Sequence, residues 1–173
     1  MVDVLSKLAG GDRRSIGQAD EVVADVLADL SLFGVVWKGM LGDDPVVRMR
    51  AADVCEKISA SVPECLAPFK VDLLGRVAAV DQQEVRWHVA QMLPRLDLDQ
   101  VERARAVEIL VGYLEDRSKI VKTFSMQALA DLALADPSLI PRVVALIGDL
   151  TATGSSAMRS RGRKLLAKLE NAL

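Results

Sequence analysis

Arg86, Trp87 and His88 stand side by side in the stretch DQQEVRWHVAQMLPRL, residues 81–96, and bring together a permanent cation, a large indole and the one histidine of the chain. Such a trio can serve as a general base with an electrostatic partner, as a nucleic-acid contact, or as one turn of a packing helix. General-base chemistry also needs a group that orients the base and a nucleophile or substrate pocket, and no spacing in the sequence provides either. A single histidine, with Cys55 and Cys65 outside C-x-x-C spacing, argues against a zinc site. The chain carries no phosphate-cradling P-loop, no G-x-S-x-G elbow and no G-x-G-x-x-G fingerprint. Carboxylate pairs such as Asp43 with Asp44 and Asp97 with Asp99 fall in turns, where helix capping uses them. The residues therefore assign no catalytic group, no metal and no cofactor, and a non-enzymatic role is expected.

The elements that position these residues follow from composition and period. Hydrophobic residues make up 51% of the 173, charged residues 27% and aromatics only 3%. A core of small and medium aliphatic side chains favours closely packed helices over an aromatic-rich sheet. The N-terminus MVDVLSKLAGGDRR lacks a basic start followed by an apolar run, so it does not read as a secretory signal. No apolar run approaches the ~20 residues that span a bilayer, so no membrane partner is expected. Cys55 and Cys65 read as reduced thiols of a cytoplasmic protein. The formal net charge of -2 argues against a general polyanion binder, yet from Thr151 onward Arg159, Arg161, Arg163, Lys164 and Lys168 face only Glu170. That end should be electropositive.

A repeat emerges when Val47, Val85, Val121 and Met158 are set as position zero of the segments VRMRAADVCEKI, VRWHVAQMLPRL, VKTFSMQALADL and MRSRGRKLLAKL, which lie 38, 36 and 37 residues apart. Position +1 is basic each time (Arg48, Arg86, Lys122, Arg159), and +4 is small or β-branched (Ala51, Val89, Ser125, Gly162). Positions +7, +8 and +11 are apolar throughout, and at about 100° per residue 0, +4, +7, +8 and +11 share one helix face.

Second helical patterns run between them, at 31–41, 63–80, 99–114 and 137–150. Asp44-Pro45 and Asp136-Pro137 are an N-cap followed by proline at N1, and Asp99 with Glu102 forms a capping box. Gly10-Gly11 separates a helix at 2–9 from another at 15–29, where Ile16, Val23, Ala24 and Leu27 fit the zero, +7, +8 and +11 places. The organisation expected is an N-terminal cap or divergent first repeat, 1–29, followed by repeats at about 30–60, 61–97, 98–135 and 136–173 in one continuous domain. Each hairpin is too small to bury its own apolar face, and stacking supplies the cover.

DDPVVRMRAA and DQQEVRWHVA resemble the second helix of HEAT-type repeats, in which an aspartate in the turn precedes a V-R-x-x-A start. The resemblance spans residues 30–169 and thins in the last copy, where Gly154-Ser155 replaces the turn aspartate. It implies an all-α fold, a right-handed α-α superhelix (α-solenoid) of four to five HEAT-like hairpins. It also implies a ladder in which Arg48, Arg86 and Lys122 meet Asp43 or Asp44, Asp81 and Asp116. Arg159 has no such acid in its own turn.

On the helical wheel, +2 lies opposite the apolar face with +6 and +9 beside it, and in a solenoid the second helices usually line the concave side. That stripe reads Met49, Asp53, Glu56; Trp87, Gln91, Pro94; Thr123, Gln127, Ala130; Ser160, Lys164, Ala167. The expected partner contacts are Met49, Arg50, Asp53, Trp87, His88, Gln91, Thr123 and Gln127, with His88 a hydrogen-bonded surface residue and Trp87 either the anchor of a contact or the seal of a seam. Trp37, at i,i+4 from Phe33, is expected in the core. An unidentified protein or peptide is the favoured partner.

Nucleic acid is the second choice, because HEAT-like folds include alkylpurine DNA glycosylases. That resemblance would turn Arg50, Arg86, Trp87, His88, Arg159, Arg161 and Arg163 toward DNA, with Arg159, Arg161, Arg163 and Lys164 as the basic contacts. The acidic total and the placing of Asp53 and Glu56 on the stripe count against it, and no glycosylase motif matches. HEAT-like lyases that attach bilins to phycobiliproteins share the V-R-x-x-A helices, but no chromophore-handling residue stands out here.

Overall fold

The computed structural model describes residues 3–12 and 14–172, so Val2, within the expected first helix, and Arg13 lie outside the described residues. Within them every regular element is helical. The chain divides into two compact units, Met1–Asp97 and Leu98–Leu173.

In the first unit, α1 (Val4–Leu8) starts at Asp3, whose carboxylate accepts from the Ser6 amide, and buries Val4 and Leu8. The following loop turns on Gly10, Gly11 and Gly17, all at positive φ (76°, 72° and 55°). Only glycine adopts that region without cost. Helix α2 (Ala19–Ala28) begins later than expected and buries Ala19, Val22 and Val26. Ile16 and Leu27 are exposed instead, so the anticipated register of this segment is wrong. The positive φ at Gly17 holds Ile16 in the loop, and the helix that starts after it presents its face one residue earlier.

Helix α3 (Phe33–Gly39) buries Phe33 and Trp37, as expected, in an aromatic cluster with Phe69, whose ring centroid lies 4.7 Å from that of Trp37. Helix α4 (Pro45–Ser61) is capped by Asp44, whose Oδ1 accepts from the Val46 amide at 2.8 Å, with Pro45 at its start. The helix expected over 63–80 is broken up: a 3₁₀ stretch (Pro63–Phe69), one α-turn, α5 (Lys70–Asp72), and a π segment (Leu73–Val77). Pro63 and Pro68 have no amide hydrogen to donate, so a regular α-helical ladder does not propagate through them. Helix α6 (Gln83–Met92) ends in a 3₁₀ turn at Pro94 for the same reason.

In the second unit, α7 (Gln100–Tyr113) carries the capping box: Asp99 accepts from the Glu102 amide at 2.8 Å and Glu102 from the Asp99 amide at 2.9 Å. Helix α8 (Lys119–Ala135) follows, capped by Ser118. Asp136 opens the next turn and leads into α9 (Ile140–Thr153). Ser155 caps α10 (Ser156–Glu170). Helix α8 packs on α7, α9 and α10, just as α4 packs on α2, α3 and α6 in the first unit.

The four aligned segments are thus α4, α6, α8 and α10. In each of them positions +4 and +7 are buried. The +4 residue sets how closely the helices approach. At Gly162 even a Cβ would overlap Thr151 Oγ1 and come within 3.1 Å of Met126 Cε. Gly162→Val is expected to lower the unfolding free energy by about 2 kcal/mol, from overpacking that outweighs the gain in helix propensity. Chemical denaturation measures it, and an unchanged midpoint would contradict the close approach.

Candidate interaction surface

The second helices of each unit meet through a fixed pairing that the sequence reading placed at the surface. Position +3 of one helix faces +6 of the second helix before it. His88 Nε2 on α6 lies 4.0 Å from Asp53 Oδ1 on α4, and Arg161 Nη1 on α10 donates to Gln127 Oε1 on α8 at 2.8 Å. Position +10 reaches the same preceding helix. Lys57 Nζ on α4 is 2.9 Å from Asp20 on α2, and Arg95, just past α6, pairs with Glu56 on α4 while donating to Ser59 Oγ at 2.8 Å. Lys57 also sits 2.8 Å from Asp53.

Arg50 takes the +3 place on α4, and there the preceding partner is a loop. Its guanidinium donates to the carbonyl oxygens of Leu8, Ala9, Gly10, Asp12 and Ser15. With 3% of its surface exposed, Arg50 is a buried cation solvated by backbone dipoles. A Cβ on Gly17 would lie 2.8 Å from its Cζ, which is why this loop needs glycine there as well as a positive φ. Arg50 is therefore not a partner or DNA contact, as its polarity had suggested, but the post around which the loop is wound.

Three further expectations are corrected by burial. His88 is 8% exposed and is no surface residue; its Nδ1 finds no hydrogen-bond partner among the described residues. Burial depresses its pKa to about 4, against the opposing pull of Asp53 and Glu56, with Lys57 and Arg95 adding to the depression. Met49, also 8% exposed, and Ala130, at 0%, are covered as well. Helix α4 is flanked by α2 on one side and α6 on the other, so the strip left open is narrower than a free helix would show.

What remains accessible in the first unit is Trp87, half-buried on α6 with its ring 5.7 Å from that of His88, and beside it Gln91, whose amide donates to the Trp87 carbonyl at 3.1 Å. Asp53 is half-buried and engaged by Lys57. In the second unit Thr123 donates to the Lys119 carbonyl at 2.7 Å, and Gln127 donates to Asp131 at 2.9 Å while accepting from Arg161. Arg159, Arg163 and Lys164 are exposed.

The polar ladder implied by the HEAT resemblance takes a partly different form. Arg86 does pair with Asp81, at 3.1 Å. Arg48 instead donates to the carbonyls of Gly42 and Asp43 and to Gln82 Oε1 at 2.8 Å, while Gln82 Nε2 donates to the Pro45 carbonyl. Asp116 accepts from the Ser118 amide.

Two hollows of the first unit hold no histidine beside their acids or thiol. One, of about 430 Å³, is apolar, lined by Leu30, Phe33, Val62, Cys65 and Phe69 among others. The other, of similar volume, borders Glu64, Lys70, Arg95 and Asp97. Burial pushes the Cys65 thiol up to about 11 and the Cys55 thiol upward too, so both stay protonated and unreactive near neutral pH. Among the described residues no cluster of three or more histidine, cysteine or acidic side chains could hold a metal, and no helix is long and apolar enough to cross a membrane.

No family model and no curated protein matches this sequence.

Two outcomes test this arrangement. Arg50→Met is expected to cost about 3 kcal/mol of stability, since it removes a charged donor from several buried carbonyls, and to open the loop to trypsin at Arg14. Cleavage and stability equal to the wild type would refute the cage. For His88, the unfolded chain takes up a proton near pH 6.5 while the folded chain resists until about pH 4. The neutral imidazole's share of stability is then complete above pH 6.5 and drains away as the pH falls to 4. Relative to His88→Gln, the wild type should lose about 3 kcal/mol across that window; a pH-independent difference between the two would mean that His88 is solvated.

Proposed function

We propose that this chain is a HEAT-like repeat protein, a right-handed superhelix of helical hairpins, that works without catalysis as a protein-interaction scaffold. Its second helices hold a partner protein or peptide, and Trp87 is the anchor of the contact. One observation carries the reading: Trp87 stays half-exposed on α6 while Asp53 and Glu56 on the preceding helix are engaged by Lys57 and Arg95. A half-open indole with fixed neighbours is the type of side chain that dominates binding energy at interfaces. Pinned by packing against His88, it loses little entropy on contact.

The one histidine is buried and held neutral, and the thiols are protonated. Free cysteines fit a reducing compartment such as the cytoplasm. The glycosylase-related alternative loses support, because Arg50 and His88, two of its DNA-facing residues, are consumed inside the fold.

Affinity capture with the wild type and with Trp87→Ala, after nuclease treatment, tests the proposal. The expected result is a protein partner held by the wild type and weakened about thirtyfold or more in the variant, the scale of an interface hot spot, with the thermal midpoint unchanged. Equal capture by both chains would remove Trp87 from the interface.

A further inference from the structure

Some bases of the second unit are answered by acids across its helices. Arg103 lies 3.1 Å from Asp136, and Arg142 lies 2.7 Å from Glu108. Along α8 and α10 the pattern reverses. Lys119, Lys122, Arg159, Arg163, Lys164 and Lys168 have no carboxylate partner among the described residues, and neither helix carries an acid in its first turn. Arg161 is steadied by Gln127, an amide that leaves the guanidinium charge intact.

The net charge of the whole chain conceals this. Residues 98–173 hold eleven bases against nine acids and residues 1–97 eleven against fifteen, so a positive second unit and a negative first unit add up to -2.

Two further observations say what this surface is for. Position +5 carries Ala52, Ala90 and Met126 in the other copies, all buried, but Arg163 on α10, exposed. A face built to be covered by another helix of the same kind would bury that cation at high cost. A face built only for solubility would interleave both signs, whereas α10 sets Arg159, Arg161, Arg163, Lys164 and Lys168 against Glu170 alone.

We propose that α8 and α10 form a binding surface for the phosphate backbone of a double-stranded nucleic acid. Arg159 and Arg163 lie one turn apart on α10, as do Lys164 and Lys168, so each pair sets two charges about 6 Å from one another along the axis. Cations arrayed in lines suit a polyanion that presents charge continuously along its length. Among the described residues Ile120 is the one large apolar side chain exposed on α8 and α10, too little for the apolar face that an interfacial membrane helix requires. In the second unit Tyr113 is buried and Phe124 half-buried, so that unit presents no fully exposed ring as a stacking platform for single-stranded bases. Backbone binding of this kind reads charge and not sequence.

The test uses the full chain and a fluorescein-labelled DNA duplex followed by anisotropy. With about four phosphates neutralised, affinity should fall roughly a hundredfold between about 50 and about 200 mM salt. A variant with Arg159, Arg163, Lys164 and Lys168 all changed to Gln should bind at least about tenfold more weakly at the lower salt, with an unaltered thermal midpoint. The control Lys38→Gln with Arg76→Gln, in the first unit, should bind as the wild type does. No binding at low salt, equal binding by the fourfold variant, or binding to phosphatidylserine vesicles with an inert duplex would each overturn the proposal. The Trp87 contact does not enter any of these readouts.

Discussion

How closely the second helices approach one another decides which polar contacts can form between them. With aromatics at 3%, most of the core is Ala, Val, Leu, Ile and Met, and the +4 column of Ala51, Val89, Ser125 and Gly162 keeps the buried face of each second helix slim. Ser125 is tolerated there because its hydroxyl donates to the Val121 carbonyl of its own helix at 2.8 Å, leaving no buried donor unmet. Gly39 plays a matching part between α3 and α4, where a Cβ would sit 3.0 Å from that of Ala51. At this spacing a side chain at +3 spans to +6 of its neighbour. A bulkier +4 residue would break those pairings along with the packing.

The +3 column shows how one geometric slot is filled by different chemistry. Arg161 meets a neutral amide at the rim of its unit, an inexpensive contact. His88 meets a carboxylate at 4.0 Å, beyond hydrogen-bond reach, and the cost of burial keeps the imidazole uncharged. Arg50 brings a guanidinium whose five N–H donors all need acceptors. It is accommodated because the carbonyls at the end of α1 and in the loop beyond aim their negative ends at it. The C-terminal carbonyls of a helix are its natural cation site. That cage explains why a five-residue helix followed by an exposed, glycine-rich loop has a defined place on α4.

Much of the local structure was legible because it depends on neighbours in sequence. Asp44-Pro45, the Asp99–Glu102 box and the +4 and +7 columns each state their structure within one turn or one helix. Legibility failed where the answer lies a full repeat away. The partners of Lys57 and Arg95 are 37 and 39 residues distant, although the +10 column, basic in three copies (Lys57, Arg95, Lys168) and acidic in one (Asp131), was open to inspection. Burial of Met49, Arg50 and His88 likewise depends on a helix or loop on each side of their own, which a single helical wheel does not contain. The interrupted stretch at 63–77 is a failure of another kind. Its apolar spacing is helical, but Pro68 removes a donor in mid-segment, and the hydrogen-bond pattern yields before the packing does.

Residues that could do chemistry separate from residues left over for contact once internal demands are met. Asp53, Glu56, His88 and Arg50 look functional by type, yet Glu56 and Arg50 are spent on holding one element to the next, Asp53 is engaged by Lys57 of its own helix, and His88 is buried against α4. Trp87 is left with part of an indole in solvent, and the α8–α10 face is left with bases that no acid answers. The two remainders differ in what they can recognise. An indole gains free energy by shedding water against another apolar surface, an effect that salt hardly weakens. Unpaired cations gain it by releasing counterions from a polyanion, an effect that salt abolishes. Contacts governed by such different forces need not serve the same partner, and ionic strength alone can separate them.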